Sequence, residues 1–406
     1  MRKDNQRSMF DLDEPDKLPQ DLSISYWELL GLIIAIVSHV IDVCIDFNVA
    51  YQYYIYEKSI YFILTITFMV IPSIINTYMS LKIYSLQGGM QKVTRKLLKN
   101  PVLLPVMIVL QMAPVFRYYD VLKYALKSRK EAKKKNYDDQ RKYYALMARE
   151  DSYVSLLRLF ECFLEAVPQQ ILQICIVLVE KKHGSTFQII HQAASILSST
   201  IGIAWAMASY HKNVRIAFEE RKNIGNVGTF LQFLWHISIT GSRILSISLA
   251  AIVWPISTGV SCFVHWFSMT LWIFMFQNVT FCMPVNKFKE KGAIRFFFST
   301  ILGLVYIFTY LSPSEGQGRS RYRYLGYYGI FLLENLSAVI IWSLTGNDQT
   351  QWYYYPLMIG SILPFFVGIL FMTIYYKFFH PHNTFQEDLY QINGNTKCIL
   401  KPYEQS

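Results

Sequence analysis

Apolar and polar positions fall along this chain in long blocks, not in the short periods of a water-soluble fold. Ten apolar segments stand out, at 26–49, 61–80, 101–116, 154–179, 189–210, 230–253, 260–282, 294–311, 326–344 and 354–376. A helix needs about 20 apolar residues to cross a hydrocarbon core about 30 Å thick. Eight segments are about that long. The third and eighth are shorter, and the third is interrupted by Pro105 and Pro114. Lipid admits only helices or closed barrels as spanning structures, and continuous runs of this length predict helices.

Charge sets the expected topology, because Lys and Arg are retained on the cytoplasmic side. Basic stretches flank the third segment on both sides: 81–100 holds Lys82, Lys92, Arg95, Lys96 and Lys99, and 117–153 includes Lys133, Lys134 and Lys135. The eighth segment is flanked likewise, by Lys287, Lys289 and Lys291 before it and Arg319, Arg321 and Arg323 after it. Both short segments are therefore expected to dip in and return. The alternative is that they cross a locally thinned bilayer. Eight spans and two re-entrant segments leave only Lys58, Lys181 and Lys182 outside, with Arg158, Arg243 and Arg295 in or beside segments. The expected fold is all-α, with eight transmembrane helices and two re-entrant segments in two pseudo-symmetric halves. Each half reads span, span, dip, span, span. The best local match between halves is Phe163-Leu164-Glu165-Ala166 against Leu332-Leu333-Glu334-Asn335.

The expected organisation is a polar cytoplasmic tail (1–23, with no cleavable leader), a first membrane half (24–216), a linker (217–229), a second half (230–380) and a cytoplasmic carboxyl tail (381–406). Composition agrees with a membrane class. Of 406 residues 53% are hydrophobic and 17% charged, where soluble domains carry about 25% charged residues. The net charge of +11 follows from the cytoplasmic loops and implies no nucleic-acid partner. The six cysteines are scattered, with no metal-ligand spacing and no disulfide framework. No phosphate-binding loop or hydrolase motif is present, so neither an enzyme nor a cofactor is expected. The Tyr clusters at 51–56, 322–328 and 353–355 read as interfacial belts. The basic linker 117–153 is either an amphipathic helix on the inner leaflet or a solvated loop.

Ionisable side chains inside the spans carry the functional signal, since each costs about 2.5–3.5 kcal/mol at mid-membrane. Asp42 and Asp46 are four apart on the first span, with His39 close to the same face. Arg158, Glu161, Glu165, Gln169 and Gln173 form one stripe along the fourth, interrupted by Pro168, which frees a backbone carbonyl. Arg243 follows Ser242 in the sixth span, and Glu334-Asn335 lies in the ninth. The signs invite pairing of Asp42 or Asp46 with Arg243 or Arg158. Such groups either pin the bundle together or line a polar path.

The stretch Phe160-Glu161-Cys162-Phe163-Leu164-Glu165-Ala166-Val167-Pro168-Gln169-Gln170-Ile171-Leu172-Gln173 resembles the signature F-E-x-F-L-E-x-x-P-Q-x-x-L-Q of the XK-related (XK/Kell-associated) membrane protein family. Ser242-Arg243-Ile244-Leu245 and Leu110-Gln111-x-x-Pro114-x-x-Arg117 support the likeness, which extends over about 25–380. The resemblance implies a phospholipid scramblase at the plasma membrane. Such a protein lets phosphatidylserine and other lipids exchange between leaflets without ATP, after a caspase-type protease cuts a tail. It also implies that Glu161, Glu165, Gln169 and Gln173 belong to a charged track, with Asp42, Asp46, Arg158, Arg243 and Glu334 as further members or braces. Asp13-Glu14-Pro15-Asp16 offers a D-E-x-D cut site, although Lys17 is a poor residue to follow it. Some family members bind a single-span partner, and such a partner or a homodimer is implied here. Two other classes fit the residues: a solute transporter or channel, and a non-transporting membrane scaffold.

Overall fold

The computed structural model describes residues 22–86, 100, 102–179, 186–217, 223–276, 291–311, 320–345 and 351–380. No strand occurs among them. The helices are α1 (Tyr26–Ile55), α2 (Ser59–Leu86), α3 (Leu103–Val109), α4 (Ala113–Lys133), α5 (Tyr137–Glu161), α6 (Val167–Val179), α7 (Thr186–Ala217), α8 (Asn226–Val253), α9 (Pro255–Phe276), α10 (Lys291–Tyr306), α11 (Ser320–Thr345) and α12 (Tyr354–Ile374). A π-helical turn at Cys162–Ala166 joins α5 to α6, and another at Tyr375–Phe379 extends α12.

Seven helices among the described residues are long and apolar enough to cross a membrane: Tyr26–Ile55, Ser59–Tyr84, Tyr137–Val179, Asn226–Val253, Pro255–Phe276, Tyr322–Thr345 and Tyr354–Phe379. The expected span at 189–210 lies in α7, whose side chains are described only from residue 196, and α7 is not one of the seven. The two short segments behave differently from the rest. The third is α3, a turn at Leu110–Met112, then α4, so it is two helices broken by a turn and not one rod. With seven residues, α3 rises only about 10 Å. The eighth is α10, which stops at Tyr306, after which the chain turns through buried residues to Leu311.

Burial follows the logic of lipid, in which apolar side chains face outward. On α1, Ile33, Ile34, Val37, Ile41 and Ile45 are exposed while His39 is buried. The central rod is α8, which packs against α6, α7, α9, α11 and α12. The main core gathers Leu156, Phe160 and Phe163 of the α5–α6 rod, Met207 of α7, Trp235 and Ile239 of α8, and Phe331 of α11. The tyrosine clusters divide. Tyr51, Tyr54, Tyr56, Tyr322 and Tyr355 are exposed, as belt residues should be, but Tyr327, Tyr328 and Tyr354 are buried. Tyr327 is used in the core, where its hydroxyl donates to Tyr306 O at 2.6 Å.

The basic linker is helical, which removes the solvated-loop alternative. α4 and α5 form an antiparallel hairpin closed at 134–136, and Asn136 caps α5 by accepting from the Asp139 N–H. Tyr137–Val179 makes one 43-residue rod, about 65 Å long. That is twice the hydrocarbon thickness, more than a bilayer core can cover. Arg117 clamps this hairpin to α2. It donates to Ser80 Oγ at 2.9 Å, Ser80 O at 2.7 Å and Glu150 Oε2 at 2.9 Å, with its guanidinium 4.0 Å from the Tyr84 ring centroid. Tyr84 in turn donates to Asp120 at 2.7 Å.

Candidate functional site

The stripe helix meets α1 and the α3–α4 turn at one level, and their polar side chains form a knot. His39 Nε2 lies 3.0 Å from the Gln111 carbonyl oxygen, and its Nδ1 lies 3.2 Å from Glu161 Oε1. A carbonyl only accepts, so Nε2 holds a proton. The Nδ1 contact needs a second, carried by the ring or by the carboxyl group. Arg158 Nη1 donates to the same Glu161 oxygen at 2.6 Å. One turn on, Gln111 Nε2 donates to Glu165 Oε1 at 2.6 Å. Next, Gln169 Nε2 donates to Asp46 Oδ2 at 3.2 Å. Gln111 sits at φ 50, a left-handed conformation that costs a non-glycine residue about 1–3 kcal/mol and persists only when its surroundings fix it. Here both its carbonyl and its side chain are held.

The π turn at Cys162–Ala166 lies inside this stripe. Val167 N–H bonds to Cys162 O, five residues back, immediately before Pro168. A proline has no N–H and its ring crowds the carbonyl four residues earlier, and a widened turn relieves that crowding. It also serves the stripe. On an α-helix, residues four apart drift about 40° per step, whereas a wider turn drifts the other way. Glu161, Glu165 and Gln169 are thereby all buried against the knot. Arg158, Asp46 and Gln173 are half-buried, and Asp42 is exposed.

A second knot repeats part of the arrangement farther along the chain. His265 Nε2 lies 3.0 Å from Tyr306 O, at the end of α10, and its Nδ1 lies 2.8 Å from Glu334 Oε1. Arg243 donates to Ile307 O at 2.9 Å, to Asn335 Oδ1 at 2.9 Å and to Glu334 Oε2 at 2.5 Å. Asn335 donates onward to Ser242 Oγ at 3.3 Å. In both knots the histidine lies against a backbone carbonyl at or just past the end of a short helix, and the glutamate beside it also bonds an arginine.

The pairing expected between Asp42 or Asp46 and the arginines is corrected by this geometry. Arg158 pairs with Glu161, three residues on along the same helix, and Arg243 pairs with Glu334. Asp46 takes Gln169 instead. No ion pair joins either aspartate to an arginine among the described residues. Of the nine residues expected on one path, six gather around the first knot, Gln173 lies one turn beyond Gln169 on α6, and Arg243 and Glu334 belong to the second. Asp13 and Asp16 lie outside the described residues. The sequence pattern does not single out His265, and it offers His39 only as a neighbour, Gln111 only within a motif and Asn335 only beside Glu334. A lone histidine in an apolar run is the signal that points to both imidazoles. Asn335, which matches a glycosylation pattern, is 1% exposed and committed to Arg243.

Together these features define a polytopic α-helical membrane protein, with two ionisable networks buried at the turns beside α3 and α10. The chain belongs to the XK-related family: the model described as XK-related protein matches residues 30–381. It is similar to Cell death abnormality protein 8 of Caenorhabditis briggsae, with 26% identity over 410 residues, covering 95% of this chain and 85% of that protein. The protein of the same name from Caenorhabditis elegans is 24% identical over 392 residues, covering 90% and 81%.

Proposed function

We propose that this protein is a phospholipid scramblase, a passive path and not an enzyme, with the first knot and its open margin as the track for headgroups. One observation carries the reading. Asp42 stands exposed sixteen residues into the 30-residue helix α1, about 24 Å along it. An unpaired carboxylate at that depth is unfavourable against lipid tails and is accounted for by a wet groove. The half-buried Asp46, Arg158 and Gln173 continue its line. Arginine can hold a phosphate, and carboxylates can meet the ammonium of serine, choline or ethanolamine heads. The tails would stay in the bilayer while the heads travel, and no energy source is needed.

In this reading eight helices span, α3 and α10 belong to segments that enter from the cytoplasm and return, both termini are cytoplasmic, and the membrane is the plasma membrane. Relatives named for abnormal cell death support a role in dying cells. That role gives the D-E-x-D sequence ending at Asp16 its meaning as a caspase cut site, whose removal would unblock the inner end of the track. A single-span partner or a second copy fits the family resemblance.

The experiment is reconstitution of the full chain into liposomes with a fluorescent lipid, intact or cut after Asp16 through an engineered protease site. Added dithionite should bleach the inner-leaflet dye of vesicles holding the cut protein. Bleaching no greater than in empty vesicles sinks the proposal, and flux of a soluble solute without lipid exchange would instead favour a transporter or channel.

A further inference from the structure

The start of α1 and the closed end of the α4–α5 hairpin stand side by side. Ile24 and Leu29 pack with Ala125 of α4. The Arg129 guanidinium lies 3.3 Å from the Tyr26 ring centroid, and Gln140 Nε2 donates to Leu22 O at 3.2 Å. These contacts set the height of the hairpin against the beginning of a membrane-spanning helix. Glu28 is exposed, and an exposed carboxylate belongs at water or headgroups, not among acyl chains. Tyr26 and Trp27 beside it are exposed as well, as aromatic residues of a headgroup belt are. Arg129 shares their level, and the hairpin continues beyond it.

Charge on that end is one-sided. Residues 127–142 carry eight Lys/Arg against three Asp/Glu. On α4, Tyr119, Leu126, Lys127, Lys130, Lys133 and Lys134 are exposed, and at 100° per residue they fall in one arc about 120° wide. No acid falls in that arc. Lys135, Arg141 and Lys142 are exposed across the turn. The acids serve the hairpin itself. Glu131 pairs with Lys134 at 2.7 Å, and Asp138 and Asp139 lie in the first turn of α5, where a helix favours negative charge. The arc is also graded along its length. Tyr119 and Leu126 lie on the membrane side, and the lysines lie toward water, the polarity of a surface that meets a bilayer edge.

We propose that this arc docks an inner-leaflet phospholipid whose head carries several phosphates, such as a phosphorylated inositol. Depth selects the ligand. From Ala125, level with Leu29, the rise is about 7 Å to Lys130 and about 13 Å to Lys134. A headgroup layer is about 5–8 Å deep. Lys130 meets the outer edge of ordinary heads, and Lys133 and Lys134 stand above them. A phosphatidylserine head ends below these ammonium groups, whereas phosphates on an inositol ring project up to them. The inference takes from the proposed topology only that this side is cytoplasmic, where anionic phospholipid collects. It does not depend on lipid transport.

The test is lysine footprinting of the full chain in phosphatidylcholine nanodiscs, alone or with a few per cent of phosphatidylinositol bisphosphate. Acetylation rates are read by mass spectrometry. Lys127, Lys130, Lys133 and Lys134 should slow about fivefold with the phosphorylated lipid, and Lys58, past the other end of α1, should not. Phosphatidylserine at matched charge should protect less. Soluble inositol trisphosphate should not protect, which separates a lipid head from a free polyphosphate. The double variant Lys130→Gln/Lys133→Gln changes two exposed side chains, and the fold should hold. It should raise the lipid fraction needed to protect Lys127 and Lys134 at least about tenfold. Unchanged rates at the four lysines, equal slowing at Lys58 or equal protection by inositol trisphosphate would overturn the docking surface. Equal protection by phosphatidylserine would overturn its selectivity. Slow acetylation already present in phosphatidylcholine alone, and relieved by cutting after Asp16, would assign the arc to the acidic tail at 11–21 and overturn lipid docking. Dithionite bleaching reads transport and acetylation reads docking, so the failure of one proposal is distinct from the failure of the other.

Discussion

His265 Nδ1 lies 2.8 Å from Glu334 Oε1, repeating the contact of His39 Nδ1 with Glu161 Oε1 at 3.2 Å. Each imidazole uses its other nitrogen to cap a carbonyl where a short helix ends, Tyr306 O in one case and Gln111 O in the other. Backbone that leaves a helix at membrane depth is tolerated only where protein re-satisfies it. The two histidines are thus part of why the chain can turn there.

The second knot should therefore be strongly non-additive. Glu334→Ala leaves Arg243 and His265 buried beside no anion and should cost about 3–5 kcal/mol. The double variant Arg243→Met/Glu334→Leu removes both charges and should recover most of that loss, since buried pairs replaced by apolar residues are close to neutral. Thermal unfolding in detergent, followed by size exclusion, measures both. Equal instability of the single and double variants would mean that packing, not charge, holds this site.

Asp42 and Glu161 should separate transport from stability. Glu161 accepts from Arg158 and its Oε1 also lies 3.2 Å from His39 Nδ1, so Glu161→Leu should destabilise by several kcal/mol, on the order of a broken buried pair. Asp42 is exposed, and Asp42→Leu should change stability by no more than about 0.5 kcal/mol. If the groove is the track, Asp42→Leu should nonetheless slow lipid exchange in liposomes several-fold. Unaltered exchange in a fully folded Asp42→Leu protein would remove Asp42 from the path.

The helices and the polar stripe were legible in the sequence because lipid makes both signals strong: a long apolar run has little use outside a bilayer, and each charge inside one is costly. The pairing was not legible. Asp42 and Arg158 look complementary on paper, but Arg158 reaches Glu161 three residues along its own helix, and which of two acids it takes is set by the helix crossing. Gln111 was visible only as part of a motif, because its role depends on a left-handed turn that no periodicity announces. The buried Tyr327 and Tyr328 depart from the belt pattern for a related reason. Tyrosine suits an interface and a polar core equally well, and only packing decides.

Pro168 follows the π turn, and Pro168→Ala should let Cys162–Ala166 relax toward α-helix. Restoring an N–H and relieving the ring clash should leave stability level or higher by about 1 kcal/mol. The residues after the turn would rotate relative to Glu161, pulling Gln169 away from Asp46. Lipid exchange should fall while thermal stability holds, the usual cost of relaxing a strained functional element. An unaltered exchange rate would show that the register of the stripe does not matter.

Arg117 makes a further claim about the hairpin of α4 and α5. Its guanidinium is fully buried and joins α2, α4 and α5 through Ser80 and Glu150. Arg117→Ala strands Glu150, which is 4% exposed, and should cost about 3–5 kcal/mol. Arg117→Lys should rescue little, because a single ammonium cannot reproduce three divergent donors or stack on Tyr84. The loss should be local first, with the hairpin loosening from α2 while the membrane helices hold. Limited proteolysis reads this directly, as faster cleavage near Lys134 and Lys135 in both variants at a temperature where the wild-type chain resists. Cleavage confined to the tails, at an unchanged rate in the hairpin, would mean that the α4–α5 packing suffices without the clamp.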